Sequence, residues 1–103
     1  MEFVLDQLAG LGHVQCRPMF GGHGLYLDDL FFGILFKGAL YFKTDLTSRP
    51  AYVKRGMKPF RPNSRQLLKN YYQLPVDIIE DSDQLVVWAQ DAIRCQLRVQ
   101  PAR

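Results

Sequence analysis

The sequence predicts an α+β fold, with helices packed on an antiparallel sheet. Three observations carry that expectation. Apolar residues recur at helical spacing before Gly12 and change to strand-like runs from Val14 onward. Two polar, two-residue breaks divide those runs, and a helical stripe returns after Asp81. The expected order is helix, three strands, helix, two strands, helix. With 103 residues the chain suits a single domain over residues 1–103. A chain of this size buries about two thirds of its unfolded surface, enough for one core without staples.

Each element has a local reason. Val4, Leu5, Leu8 and Leu11 fall on one helical face, and Gly10 and Gly12 supply the stop. Asp28-Asp29 then separates Tyr26-Leu27 from Leu30-Phe31, and Lys37-Gly38 separates Phe36 from Ala39-Leu40-Tyr41-Phe42. Polar breaks of two residues are the spacing of tight hairpins, so a three-stranded meander is expected over roughly Leu25 to Lys43. Gln15 to Phe20 reads as an extension of its first strand, and Gly33 marks a bulge or a close approach. Leu46 to Arg55 suits a helix capped by Asp45 or Thr47, with Pro50 in its first turn and Gly56 closing it. Met57–Arg61 and Leu67–Gln73 read as strands around the turn Pro62-Asn63-Ser64-Arg65. Leu74-Pro75 opens a short helical piece. The last helix is capped by Asp81 or Ser82 and carries the stripe Leu85, Trp88, Ala89, Ala92 and Ile93.

Hydrophobic residues make up 48% of the chain and charged residues 22%, an ordinary globular composition that argues against disorder. The longest apolar run, Leu30 to Phe36, is strand-sized, well short of the roughly 18 residues a membrane span needs. The N-terminus has no basic region, so a cytoplasmic protein with no membrane partner is expected. Cys16 and Cys95 are too few for a secreted disulfide scaffold and read as two reduced thiols. Net charge is only +3, but it is unevenly placed. From Lys37 to Lys69 nine basic residues face one acid, Asp45; from Pro75 to Asp91 there are five acids and no base.

Few constellations suggest chemistry. Gly21, Gly22 and Gly24 run into a strand, whereas a phosphate loop runs into a helix, so they read as a sharp entry to the meander. His13, Cys16 and His23 lack the spacing of a zinc site. Neither cysteine sits in a nucleophile signature, and Asp28-Asp29 is explained by its turn. No catalytic, cofactor-binding or metal residues are assigned, and a protein that is not an enzyme is expected. Lys54, Arg55, Lys58, Arg61, Arg65 and Lys69 are interleaved with Tyr52, Phe60, Tyr71 and Tyr72. Cations among rings suit nucleic acid, although a solvated strand pair with inward aromatics is the plainer reading.

The string Met19-Phe20-Gly21-Gly22-His23-Gly24-Leu25-Tyr26 resembles the opening signature of the TfoX/Sxy N-terminal domain family. So do the meander after it, the Lys43-Thr44-Asp45 step, Pro59-Phe60, and Tyr72-Gln73-Leu74-Pro75 before a tryptophan-bearing helix at Leu85-Val86-Val87-Trp88-Ala89. The family motif positions are therefore Met19, Phe20, Gly21, Gly22, Gly24 and Tyr26. The resemblance spans nearly the whole chain and implies an α+β domain related to bacterial regulators of DNA uptake and competence. With Arg103 its last residue, a stand-alone N-terminal domain is expected. The resemblance carries no catalytic or cofactor residues.

The functional expectation is a small regulatory or adaptor domain that binds protein, with a homodimer as its first partner and a regulatory protein as another. A strand over Leu30–Phe36 puts aromatics on both faces, and helices on one side cover only one of them. Phe31 and Phe32 are the candidate interface residues. Nucleic acid binding through the basic residues 54–69 is the alternative.

Overall fold

The computed structural model describes residues 2–19 and 21–99. In chain order it contains α1 (Glu2–Gln7), a 3-10 turn (Ala9–Leu11), and the strands β1 (Val14–Met19), β2 (Gly22–Leu27), β3 (Leu30–Phe36) and β4 (Ala39–Lys43). There follow α2 (Arg49–Val53), β5 (Pro59–Asn63), β6 (Gln66–Gln73), α3 (Val76–Ile79) and α4 (Ser82–Val99). The strands form one antiparallel sheet in the order β1-β2-β3-β4-β6-β5. The α+β class and the alternation of helices and strands are as expected.

Four strands precede α2, where the sequence pattern suggested three. Residues 15–19 do not extend the first strand of the meander, and Phe20 lies outside the described residues. Instead Met19 pairs with Gly22, and the left-handed backbone of Gly21 (φ +79°) helps fold the chain back there, so that Val14–Met19 becomes a separate edge strand. Both two-residue breaks are hairpin turns. Asp28 and Asp29 have φ of +50° and +66°, Lys37 and Gly38 of +50° and +80°. Two left-handed central residues make a type I′ turn, whose twist matches that of the flanking strands. At the β5–β6 hairpin Asn63 Oδ1 accepts from the backbone N–H groups of Arg65 and Gln66.

The middle strand decides how side chains are shared between the two faces. Leu25 pairs with Gly33, but Tyr26 pairs with Phe31, leaving Phe32 as the extra residue of a β-bulge. The bulge interrupts strict alternation. Phe32 and Leu35 join the cluster under the helices, whereas Phe31, Ile34 and Phe36 join a cluster built only from strand residues. Gly33, beside the bulge, lies against the Phe42 ring and the Tyr41 carbonyl, the close approach its glycine suggested.

The larger cluster joins Val4 and Leu8 at the N-terminus to Leu25, Phe32, Leu40 and Phe42 on the sheet and to Leu85, Ala89 and Ala92 on α4. The α4 stripe is thus buried as its spacing required. Asp81 caps that helix: its carboxylate accepts from the backbone N–H and the side-chain amide of Gln84. Two side-chain amides fasten the helices, Gln7 Nε2 to the Ile79 carbonyl (2.9 Å) and Gln96 Nε2 to the Phe31 carbonyl (2.6 Å). Among the described residues no helix is long and apolar enough to cross a membrane.

Phe32 is therefore no interface residue. It is fully buried, its ring 5.6 Å from that of Phe42, because the bulge turns it toward the helices. Phe32→Ala is expected to lower the free energy of unfolding by about 3–5 kcal/mol in urea titrations. Leu46→Ala, at a site 83% exposed, is expected to change it by no more than about 0.5 kcal/mol.

Candidate functional site

The helices leave one sheet face to the strands alone. Alternation on β4 sends Leu40 and Phe42 to the helices and Tyr41 to the other side, and on β6 it sends Tyr71 there and Tyr72 to the helices. The strand-only cluster buries Ile34, Phe60 and Tyr71 and leaves Phe31, Phe36 and Tyr41 half-buried around them. Its rings touch in two groups. Phe31 lies 5.2 Å from Tyr26 and 5.5 Å from Tyr71, while Phe60 lies 4.6 Å from Tyr41 and 5.2 Å from Phe36. Such contacts are each worth about 0.5–1.5 kcal/mol beyond the area they bury.

Cations sit over three of these rings: Arg17 at 4.3 Å from Tyr26, Lys37 at 5.4 Å from Phe36 and Lys43 at 5.5 Å from Tyr71. Lys37 and Lys43 belong to the basic run 37–69, but none of the three is among the six basic residues of the candidate nucleic-acid face. A lysine after an aromatic looks like any surface lysine until the strand register places it over a ring. Arg17 is also paired with Asp29 at 2.8 Å. Burial pushes the Tyr71 phenol up to about 12, so it stays protonated.

The basic run 54–69 does not form one surface of free charge. All six of its side chains are exposed, but Arg55 makes a two-pronged contact with Asp77 of α3, at 2.9 and 3.1 Å. Lys54 and Arg55 leave α2, whereas Arg61, Arg65 and Lys69 belong to the β5–β6 hairpin, with Lys58 just before it. Those four and Lys54 have no acidic partner among the described residues. Phe60 and Tyr71, two of the interleaved aromatics, face the strand-only cluster, and Tyr52 and Tyr72 the helix side.

The glycine motif is a packing device. A Cβ on Gly22 would collide with the Leu35 carbonyl oxygen. One on Gly24 would come within 3.0 Å of Met19 Sδ, Phe31 Cε1 and Tyr26 Cε1. The motif thus clears the space in which Met19, Tyr26 and Phe31 meet; Phe20 lies outside the described residues. Among the described residues no three His, Cys, Asp or Glu side chains converge as metal ligands. His13 instead lines a shallow recess with Gln15, Asp28 and Asp29. Cys16 and Cys95 are free, and burial raises both thiols above their ordinary range.

A family model for the TfoX N-terminal domain matches residues 6–96. The chain belongs to the TfoX N-terminal domain family. That family is linked to the regulation of competence and DNA uptake. No curated protein matches the chain significantly.

In this TfoX N-terminal domain the Lys43-Thr44-Asp45 step is a knot joining four elements. Thr44 Oγ1 donates to the Asn70 carbonyl at the β6 side and accepts from Arg49 Nε. Asp45 Oδ1 accepts from the Thr47 and Ser48 backbone N–H groups and from the Thr47 hydroxyl, and Ser48 Oγ accepts from the Asp45 N–H. Ser48 Oγ also meets the buried Cys95 Sγ of α4 at 3.6 Å. These donors hold the Asp45 carboxyl well below the usual carboxylate range, chiefly through the Thr47 hydroxyl.

Asp45→Ala is expected to cost about 1–2 kcal/mol at pH 7, as loss of such a cap does. The folded chain holds this carboxyl's proton less readily than the unfolded chain does. Its contribution is therefore complete above the unfolded value of about 4 and is lost as pH falls through the lower folded value. The wild-type advantage over Asp45→Ala, read from urea midpoints, is expected to shrink steadily as the pH is lowered below about 4.

Proposed function

We propose that this domain is a non-enzymatic regulatory or adaptor module that works by binding protein, first of all a second copy of itself. The observation behind the proposal is the helix-free sheet face with half-buried Phe31, Phe36 and Tyr41. Aromatic side chains and arginine are enriched at interface centres, and Arg17 lies beside Tyr26 on this face. The ring faces of Tyr26, Phe36 and Tyr71 are already taken by Arg17, Lys37 and Lys43. Three rings thus already carry a cation, which leaves fewer free ring faces for stacked bases and suits another packed surface. A two-fold copy is the commonest such partner.

Charge favours one arrangement of the pair. A two-fold axis parallel to the strands, over β3 and β4, sets the β5–β6 hairpin of each copy across the β1–β2 edge of the other. That pairs Arg61, Arg65 and Lys69 with the exposed Asp28 and Asp29. Light scattering is expected to give twice 11.9 kDa at micromolar concentration. Phe31→Lys is expected to return the mass to 11.9 kDa with a cooperative melt retained, and Leu46→Lys to leave it doubled. A monomer at every concentration would remove the homodimer.

A second reading, nucleic acid binding, draws on the unpaired Lys58, Arg61, Arg65 and Lys69. Fluorescence anisotropy with a labelled duplex separates the two. Phosphate contacts require a log–log salt slope of about 0.9 per phosphate and loss of binding on Arg61→Glu with Arg65→Glu. Absence of binding at low salt leaves protein recognition as the sole reading.

A further inference from the structure

On the opposite side of the molecule, α2 and α4 diverge around an open cavity of about 560 Å³. That volume lies within the range of small-molecule sites, roughly 300–1,000 Å³. Its walls are Ala51, Tyr52, Val87 and Trp88, and the Tyr52 and Trp88 rings meet edge to face at 4.8 Å. A flat aromatic guest suits such walls, lying against one ring with its edge to the other.

The polar groups of the cavity are mostly engaged. The Thr47 hydroxyl donates to Asp45, Ser48 Oγ is held between the Asp45 N–H and Cys95, and Arg94 is ion-paired with Asp91. Because Arg94 and Asp91 cancel, the lining has no net charge to attract an ionised guest. Gln90 is exposed and Tyr52 is buried, and neither side chain is engaged in a hydrogen bond. Tyr52 is the buried one. It is only 3% exposed, yet its hydroxyl makes no hydrogen bond to any described residue. Tyr52 itself lines the cavity. Buried tyrosines ordinarily find an acceptor for this group. Burial also raises this phenol far above its ordinary range, so at neutral pH it is a donor.

We propose that the α2–α4 cavity binds a neutral, planar aromatic small molecule that presents a hydrogen-bond acceptor to the Tyr52 hydroxyl, between the walls formed by Trp88 and Ala51. The site is independent of the helix-free sheet face and of any dimer formed there.

Trp88 is the only tryptophan, so its indole N–H gives one resonance at the cavity wall. The test titrates the full chain, isotopically labelled, with coumarin and with 2H-chromene, the same bicycle without the carbonyl acceptor. Coumarin is expected to shift the Trp88 resonance saturably below about 1 mM, with chromene about fivefold weaker. Tyr52→Phe is expected to reduce coumarin to the chromene level. Ala51→Phe, which fills the cavity from an exposed helix position, is expected to abolish both shifts while leaving the mass in light scattering unchanged. The rest of the amide spectrum reports whether each variant is folded. An unmoved Trp88 resonance overturns the proposal. So does coumarin affinity that is equal in the wild type and in a folded Tyr52→Phe, or that survives Ala51→Phe.

Discussion

The fold depends on how β3 distributes its large side chains. Leu30–Phe36 contains seven residues, six of them apolar and larger than alanine, and no single face can hold them all. A flat strand would send Phe31 and Leu35 one way and Phe32, Ile34 and Phe36 the other. The bulge at Phe32 gives Phe32 and Leu35 to the helices and Phe31, Ile34 and Phe36 to the strands. Both cores are seeded by that single displaced residue. α4 packs on β3 from one side and fixes it through Gln96, while Phe31 and Phe36 anchor the second aromatic cluster from the other.

The glycine motif and the Thr44–Asp45 knot serve this division at opposite ends. Gly22 and Gly24 let β2 approach β3 closely enough for Tyr26 and Phe31 to meet, so the motif shapes the helix-free face rather than a phosphate site. The knot turns the chain from β4 into α2, and through Arg49 and Asn70 it sets where β6 joins the sheet. Ser48 then presses against Cys95, which fixes the spacing of α2 from α4. The α2–α4 cavity lies beside that contact, between Ala51 and Tyr52 on one helix and Val87 and Trp88 on the other.

Most of the fold was legible because it is local. Asp28-Asp29 and Lys37-Gly38 announce their turns by length and polarity, and the α4 stripe announces its buried face by spacing. The bulge was half legible: Gly33 pointed to it, but which neighbour became the extra residue depends on the partner strand, and Phe32 was misplaced for that reason. The β1 strand was missed because a turn at Gly21 and a continued strand share the same glycine-rich signal. The candidate surfaces were least legible. That Lys37 and Lys43 cover rings follows from cross-strand register, and that Arg55 is spent on Asp77 follows from a contact spanning 22 residues. No periodicity within one segment encodes either.

Charge sorts the molecule into two poles. The acids of 77–91 lie on α3, α4 and the turn between them, and the free bases lie along the β5–β6 hairpin and the ends of β4. Of the described ion pairs, only Arg55–Asp77 joins the two chain segments, and both its side chains are largely exposed, so it contributes little to stability. A cation-rich hairpin left without acids repels a like surface and steers an acidic one. For a homodimer this argues against stacking hairpin on hairpin and for the offset that sets each hairpin over the other copy's Asp28-Asp29 turn. For any other protein partner it favours an acidic one, with the aromatic face supplying affinity and the hairpin supplying direction.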